Sequence, residues 1–265
     1  LFTADLHAGF DTIESFTLLT GSGADVITFG DTLDTTGSIS LNTGAGTDTV
    51  NVQGSTGGLT VDTGIDSDTI NIGSLAPATG GTVNGITGAV TIDGNSGSDT
   101  LNVDDTGDTL VNSGVLTGTT LTGLGMGTGI TYGTIEDLNI NLGSGADSFT
   151  IESTAALTVS EVDLGAGGDS ARVKTISDLT TVYGGADDDS IAIFNDGNTV
   201  DGLAADLTVD GGTDSGAGSG DSITIIDTAD TTGDTASLTG TALSGVGLAD
   251  VDIFYAGAET LNIDL

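Results

Sequence analysis

Short segments in which apolar and polar residues alternate recur along the whole chain. Clear examples are residues 49–52 (Thr-Val-Asn-Val), 69–72 (Thr-Ile-Asn-Ile) and 100–103 (Thr-Leu-Asn-Val). A period of two is typical of a β-strand with one buried face, so we expect Val, Ile and Leu to face inward and Thr and Asn to face outward. No segment favours a helix. The pattern therefore predicts an all-β protein.

A glycine-rich turn, G-x-G-x-D, joins many of these strands, as in residues 41–52. Eight turns of this kind, four with the full motif and four with a changed glycine position, end in an aspartate, and most neighbouring turns are separated by one short, nearly constant interval. This spacing predicts a parallel β-solenoid (β-roll or β-helix) with coils of about 20–24 residues. The longest interval, from Asp99 to Asp147, is expected to hold a coil whose turn has diverged around Asp104–Asp108. The turn aspartates are Asp25, Asp48, Asp68, Asp99, Asp147, Asp169, Asp189 and Asp221.

A longer repeat of about 122 residues contains these turns, since residues 10–25 return as residues 132–147. The repeat boundaries fall at about 10–131 and 132–254, and a third copy begins at 255. We expect one continuous solenoid over residues 1–265. Neither end resembles the polar cap that shields a terminal coil, which favours a longer array, continued covalently or by head-to-tail stacking of subunits.

The composition is strongly acidic, with 39 Asp and Glu against two basic residues and a formal net charge of -37. Such a charge favours disorder, but 36% hydrophobic residues, largely β-branched or Leu, indicate a buried core. The charge repels nucleic acid and anionic lipid and attracts divalent cations. There is no cysteine, and no apolar run approaches the roughly 20 residues that cross a bilayer. No signal peptide opens the sequence, so signals either lie outside this piece or do not exist. We expect no nucleic-acid partner and no membrane insertion.

The turns suggest a cation site, because glycine permits positive φ and close approach while aspartate offers a hard oxygen ligand. Coils about 4.8 Å apart would align the aspartates in a column. Like charges at that distance repel by about 1 kcal/mol in water and about 3 kcal/mol at an effective dielectric constant of about 20. Calcium between the turns, held by carboxylates and turn carbonyls, would replace this repulsion with cohesion. The alternative is ordinary turn chemistry, in which aspartate hydrogen-bonds its own backbone.

The turns resemble the calcium-binding RTX (repeats-in-toxin) motif, G-G-x-G-x-D followed by an apolar strand, and the chain is similar to β-solenoid repeats of large bacterial surface adhesins and fibres. The match is best at residues 184–191 and 21–25. The period differs, since RTX motifs recur every nine residues and place metal on both sides of each coil. The resemblance implies several calcium ions, about one per turn. Its candidate ligands are Asp25, Asp48, Asp66, Asp68, Asp99, Asp147, Asp169, Asp187, Asp189 and Asp221, with turn backbone at Gly21, Gly23, Gly44, Gly46, Gly143, Gly145, Gly165, Gly167 and Gly185.

Catalytic chemistry finds little support in the sequence, and we expect no enzyme activity. His7 is the only histidine, which nearly excludes a Ser-His-Asp centre or a histidine metal site. Arg172 and Lys174 lie on the same face of one strand, where salt links to neighbouring carboxylates are expected. Acidic pairs such as Asp104-Asp105 suit acid-base work on sugars but recur with the repeat, which favours structure or metal.

These observations lead us to expect a secreted structural scaffold: a calcium-stabilised solenoid segment of a bacterial surface adhesin or extracellular matrix filament. Its expected partners are calcium ions, further copies of the repeat, and a surface or matrix ligand. Two alternatives stay open. One is an RTX-type secretion domain of a larger enzyme or toxin, and the other is an ice- or polysaccharide-binding module suggested by the outward Thr and Asn ladders.

Overall fold

The computed structural model describes residues 14–30, 37–213, 220–231, 235–245 and 251–265. The regular elements in these ranges are all β-strands, and none of the described residues is helical. The chain forms two compact units, Leu1–Gly107 with Thr119–Ile140, and Asp108–Gly118 with Asn141–Leu265. Each unit is a parallel β-solenoid, so the predicted fold class is confirmed. One continuous solenoid over residues 1–265 stays a prediction.

The first unit contains two sheets whose strands alternate along the chain. The first sheet has the order β1 (Ser15–Leu19), β3 (Ser38–Asn42), β5 (Gly58–Asp62), β7 (Val90–Asp93), β11 (Ile130–Gly133) and β10 (Thr120–Gly123). The second has the order β2 (Val26–Phe29), β4 (Thr49–Val52), β6 (Thr69–Ile72), β8 (Thr100–Asp104) and β12 (Asp137–Asn141). Every pair with a recorded register is parallel except β10 with β11.

The second unit repeats this alternation. One sheet has the order β9 (Ser113–Leu116), β13 (Ser148–Ile151), β15 (Ser170–Val173), β17 (Ser190–Ile193), β19 (Ser222–Ile226) and β23 (Thr260–Asp264). The other has the order β14 (Val159–Asp163), β16 (Thr180–Tyr183), β18 (Leu207–Asp210), β22 (Asp252–Ala256), β21 (Ala242–Ser244) and β20 (Ser237–Leu238). The antiparallel pairs are β20 with β21 and β21 with β22.

Apolar side chains stack in files between the two sheets, as the alternation predicts. In the first unit Val50 pairs with Ile70, and Ile70 pairs with Leu101, and all three are buried. In the second unit Phe149 begins a file that continues through Ala171. Full burial of one such side chain contributes about 1.5–3 kcal/mol. The files therefore supply most of the core.

An asparagine ladder runs along the outer face of the second sheet of the first unit. Each side-chain amide donates to a side-chain oxygen of the preceding coil: Asn51 to Thr28 at 3.2 Å, Asn71 to Asn51 at 2.9 Å, Asn102 to Asn71 at 2.9 Å and Asn139 to Asn102 at 3.1 Å. The predicted outward ladder is confirmed here. Its members cover one another, and Asn51 is only 2% exposed.

Four steps between stacked turns match the predicted coil length, at 20 to 23 residues. Four steps are longer, at 31, 32, 37 and 38 residues, and those of 31 and 32 residues carry insertions after β6 and β17. Each insertion packs back onto the preceding coil through one bridge, Ile86 to Ser55 and Leu203 to Ile176. At the predicted diverged turn around Asp104–Asp108, the buried Asp105 accepts the Val83 N–H at 2.9 Å.

Equivalent antiparallel contacts occur at equivalent positions of the long repeat. Leu121 pairs with Ile130 in the first unit, and Leu243 pairs with Ile253 in the second. All four side chains are buried. The long repeat is therefore a repeat of structure as well as of sequence.

Candidate functional site: the buried aspartate ladders

The structure buries eight of the ten aspartates that the sequence predicts as ligands. They are 0–6% exposed: Asp25, Asp48, Asp68, Asp99, Asp147, Asp169, Asp189 and Asp221. The other two lie nearer the rim, where Asp66 is exposed and Asp187 is half-buried, both with positive φ. The Oδ2 of Asp66 accepts the Gly46 N–H of the preceding coil at 3.1 Å.

In the first unit the buried aspartates form a continuous ladder through the backbone. The N–H of Asp25 donates to Oδ1 of Asp48 at 2.7 Å, that of Asp48 to Asp68 at 2.7 Å, and that of Asp68 to Asp99 at 2.8 Å. The N–H of Asp99 donates to Oε2 of Glu136 at 2.8 Å, which ends the ladder. Each carboxylate thus satisfies a buried N–H of the coil before it.

A second ladder of the same kind lies in the second unit. It begins at the N–H of Asn112 and ends at Glu259, with donor to acceptor distances of 2.6–2.8 Å. The successive donor and acceptor pairs are Asn112 to Asp147, Asp147 to Asp169, Asp169 to Asp189, Asp189 to Asp221, and Asp221 to Glu259. The expected column of aspartates therefore exists once in each unit.

Sequence reasoning missed the two glutamates that end the ladders, because neither follows a G-x-G turn. A signal was present in the strands that follow them. The segment Glu136-Asp-Leu-Asn-Ile matches Asp99-Thr-Leu-Asn-Val, and Glu259-Thr-Leu-Asn-Ile matches both. A glutamate directly before such a strand occupies the ladder position of the aspartates, and its longer side chain reaches the same N–H.

The second carboxylate oxygen of the ladder residues is buried and lacks a hydrogen-bond partner in the described part of the chain. This holds for Oδ2 of Asp25, Asp48, Asp68, Asp99, Asp169, Asp189 and Asp221. An ionised carboxylate in such a place is costly unless a cation or a proton compensates its charge. Seven oxygens of this kind make the ladders the strongest candidate for a functional site in this molecule.

Burial raises the pKa of six of the ladder carboxyls, with smaller contributions from neighbouring acids. The pKa of Asp99 rises to about 6, and those of Asp169 and Asp189 rise to about 7. The backbone N–H of the preceding coil opposes this rise, because it stabilises the charged form. Burial also raises the pKa values of Asp68, Asp147 and Asp221. Asp99, Asp169 and Asp189 therefore exchange a proton near neutral pH.

The turn glycines are required by close contact between coils. A Cβ on Gly165 would lie 2.1 Å from the carbonyl oxygen of Gly143, and the φ of Gly165 is +94°. That carbonyl accepts the Ala166 N–H at 2.9 Å, so it already has one partner in the next coil. The predicted positive φ occurs at Gly21, Gly44, Gly46, Gly165, Gly167 and Gly185. It does not occur at Gly23, Gly143 or Gly145, where the prediction of positive φ is wrong.

Three carboxylates converge at one other place among the described residues. Ligand atoms of Asp201, Asp227 and Asp230 lie within 4.8 Å of one another, and Asp227 is buried. The Oδ1 of Asp227 accepts the Val200 N–H at 3.1 Å. None of the three is among the residues that the sequence predicts as ligands. The ladder turns instead place successive carboxylates one coil apart.

The two basic residues form a local ion cluster, as predicted. Nζ of Lys174 lies 2.7 Å from Glu152 and 3.0 Å from Asp196, and Arg172 lies 3.2 Å from Asp196. The Arg172 guanidinium also stacks on the Phe194 ring at 4.0 Å. These contacts satisfy both cations within the second unit.

A scan against protein-family models finds no match, and a search of curated proteins finds no relative. In the described ranges no helix has the length and apolar character needed to cross a membrane.

Proposed function

We propose that this chain is a structural scaffold, a solenoid segment of a bacterial surface adhesin or of an extracellular matrix filament. The observation that carries the proposal is the run of parallel strand pairs in each unit, with apolar files inside and hydrogen-bonded ladders along the coils. Backbone ladders of this kind give a stiff rod whose length grows with the number of repeats. We expect no catalytic activity.

Calcium is the proposed stabiliser of the scaffold, and the ladder carboxylates are the residues that would hold it. Hard carboxylate oxygens suit calcium, and the ladders leave seven of them buried without a partner among the described residues. A net charge of -37 adds a strong attraction for divalent cations. Bound calcium would compensate the buried charge and link folding to the metal.

Thermal melting followed by circular dichroism tests the calcium role. We expect millimolar calcium to raise the melting temperature and EGTA to lower it, with equimolar magnesium as the ion control. Asp189→Asn should lose part of the calcium-induced shift. Glu161→Gln, which removes an exposed acid on β14, should keep the full shift. An identical melt in calcium and EGTA would remove calcium from the proposal and leave the scaffold role.

Immunogold labelling of intact source cells tests the location and the scaffold role. An antibody raised against this chain should label the outer surface or the surrounding matrix. Labelling confined to the cell interior of sectioned cells would contradict the proposal.

A second candidate, binding of ice or of a neutral polysaccharide, is favoured by one face of the first unit. A file of exposed hydroxyls crosses the outer face of its first sheet, with one residue from each of five neighbouring strands. The file contains Thr17, Ser40, Thr60, Thr91 and Thr131. The equivalent file of the second unit lacks this regularity, since it contains Glu161 and Phe254.

Retention on ice or on insoluble neutral glycans tests this second candidate. The double variant Thr60→Glu, Thr91→Glu should abolish retention. Thr181→Glu with Thr208→Glu, on the second unit, should leave it unchanged. Equal retention of both variants would contradict binding through the hydroxyl file.

A further inference from the structure

Each ladder aspartate is faced by a residue of its own coil that stands five positions before it, which we call the facing residue. A Cβ on Gly94 would lie 2.6 Å from Oδ2 of Asp99. A Cβ on Gly184 would lie 2.7 Å from Oδ2 of Asp189. A side chain at this position therefore points at the carboxylate oxygen that lacks a hydrogen-bond partner in the described part of the chain.

In the first unit threonine is the facing residue of two neighbouring ladder aspartates. Thr43 stands five positions before Asp48 and is 0% exposed. Thr63 stands five positions before Asp68 and is also 0% exposed. The Thr43 hydroxyl donates to the Thr63 carbonyl at 2.8 Å, and the Thr63 hydroxyl donates to the Gly94 carbonyl at 3.2 Å. The facing residues of successive coils therefore stack on one another.

The Thr63 hydroxyl lies beside the Asp68 carboxyl. Burial raises the pKa of Asp68, and the Asp48 N–H and the Thr63 hydroxyl both oppose the rise. A hydroxyl has this effect only at short range, because it acts by hydrogen bonding to the charged form. Its oxygen also carries two lone pairs that can bind a cation. One hydroxyl oxygen and one carboxylate are thus brought together inside the turn.

In the second unit leucine is the facing residue of two neighbouring ladder aspartates. Leu142 stands five positions before Asp147 and is 1% exposed. Leu164 stands five positions before Asp169 and is 0% exposed. The Leu164 N–H donates at 3.0 Å to the carbonyl of the residue before Gly184, which stacks Leu164 on Gly184. The leucines therefore occupy the position that the threonines occupy in the first unit.

The two kinds of facing residue differ in what they offer a buried cation. Calcium is bound by about six to eight oxygen atoms. A threonine adds a hydroxyl oxygen to the carboxylate that it faces, whereas a leucine adds none. A leucine also covers the carboxylate with aliphatic carbon, and a charge beside an apolar group is costly. The ladder of the first unit is thus the better ligand for calcium, although both ladders contain buried aspartates.

We infer that the facing residue selects where calcium binds: at the threonine-faced carboxylates of the first unit, and not at the leucine-faced carboxylates of the second. The threonine-faced residues are Asp48 and Asp68, and the leucine-faced residues are Asp147 and Asp169. The glycine-faced carboxylates stand outside this division. The inference rests on the proposed calcium role and assigns it to named residues. The two units then differ in their response to calcium although their folds repeat.

Isothermal titration calorimetry of the whole chain with calcium at pH 8 tests the role of the hydroxyls. Thr43→Val with Thr63→Val should weaken binding roughly tenfold or more, the usual effect of losing a group at a metal site. Thr43→Ser with Thr63→Ser keeps both hydroxyls and should bind like the wild type. The matched control is Thr181→Val with Thr208→Val, the same change at two paired outward residues of the second unit, and it should also bind like the wild type. Equal binding by the two valine variants would overturn the inference.

Hydrogen exchange of the wild type, followed by mass spectrometry, locates the bound calcium without any substitution. Calcium should slow amide exchange in peptides that cover residues 43–68 and leave peptides that cover residues 142–169 unchanged. Leu164→Thr should add calcium-dependent protection around Asp169, and a folded variant without it would contradict selection by the facing residue. Equal protection of both segments in the wild type would overturn the inference and leave the calcium role intact. A wild type that binds no calcium would overturn the calcium role as well.

Discussion

Replacement of Asp169 by asparagine separates two properties of a ladder carboxylate: its role as a hydrogen-bond acceptor and its negative charge. The Oδ1 of Asp169 accepts the Asp147 N–H, and its Oδ2 is buried without a partner among the described residues. Asparagine keeps an oxygen for the N–H and removes the buried charge. Without metal at pH 8, we therefore expect Asp169→Asn to fold more stably than the wild type.

The magnitude follows from the raised pKa of this carboxyl. Burial raises the pKa of Asp169 to about 7, roughly three units above its ordinary value, and one unit corresponds to about 1.4 kcal/mol. The buried charge thus costs on the order of 4 kcal/mol at pH 8. The new amide loses about 1–3 kcal/mol if its N–H groups find no acceptor. The net gain is on the order of 1–3 kcal/mol, or roughly 2–12 °C in melting temperature.

Thermal melts in EGTA at pH 8 and pH 4.5 measure this gain. At pH 4.5 the folded wild type holds the proton on Asp169, so the gain of the variant should vanish or change sign. Glu161→Gln removes one exposed acid and should change stability by less than about 0.5 kcal/mol at either pH. If Asp169→Asn is less stable than the wild type at pH 8 in EGTA, the protein itself compensates the buried charge and the reasoning fails.

Three further outcomes are expected from the same structure. The melting temperature of the wild type in EGTA should be higher at pH 5 than at pH 8. The raised pKa values of Asp99, Asp169 and Asp189 mean that the folded state binds protons more tightly than the unfolded state. Their contribution to the free energy of unfolding is therefore complete below about pH 4 and is lost as the pH rises through about 6 to 7. A flat or opposite dependence would contradict the buried-charge account. Gly165→Ala should destabilise by at least about 2 kcal/mol in urea unfolding, through its positive φ and its contact with Gly143, whereas Gly23→Ala meets nothing within 4 Å and should be tolerated. Phe149→Ala should cost about 3–5 kcal/mol by loss of a fully buried ring, and a loss below about 1 kcal/mol would show that the core there is loosely packed.

The alternation of residues was enough to predict the strands and their inner and outer faces, and the spacing of the turns predicted the length of the shorter coils. Val50 and Ile70 lie inside, and Asn51 and Asn71 lie outside, because a period of two fixes the face of every residue within a strand. Turn residues have no such period. The direction of the Asp48 carboxylate depends instead on a backbone N–H in the neighbouring coil, which local sequence does not describe.

The antiparallel pairing of β10 with β11 could not be predicted from the alternation of residues either. Thr120–Gly123 and Ile130–Gly133 alternate like the other strands, and alternation carries no information about strand direction.

The ladder positions of Glu136 and Glu259 were not predicted for a different reason. They perform the task of an aspartate with a longer side chain and without a glycine turn, so a search for the turn motif passes over them.

The ion cluster on β15 also affects how fast proteases that cut after basic residues can cleave the chain. Arg172 and Lys174 are the only basic residues in the sequence, so such an enzyme has two bonds to attack, both beside the same strand. The side chains that it must grip are mostly covered and bound to Asp196, and Lys174 is also bound to Glu152. Cleavage at either bond requires the strand to leave its sheet first, so the folded chain should resist this class of protease until β15 opens.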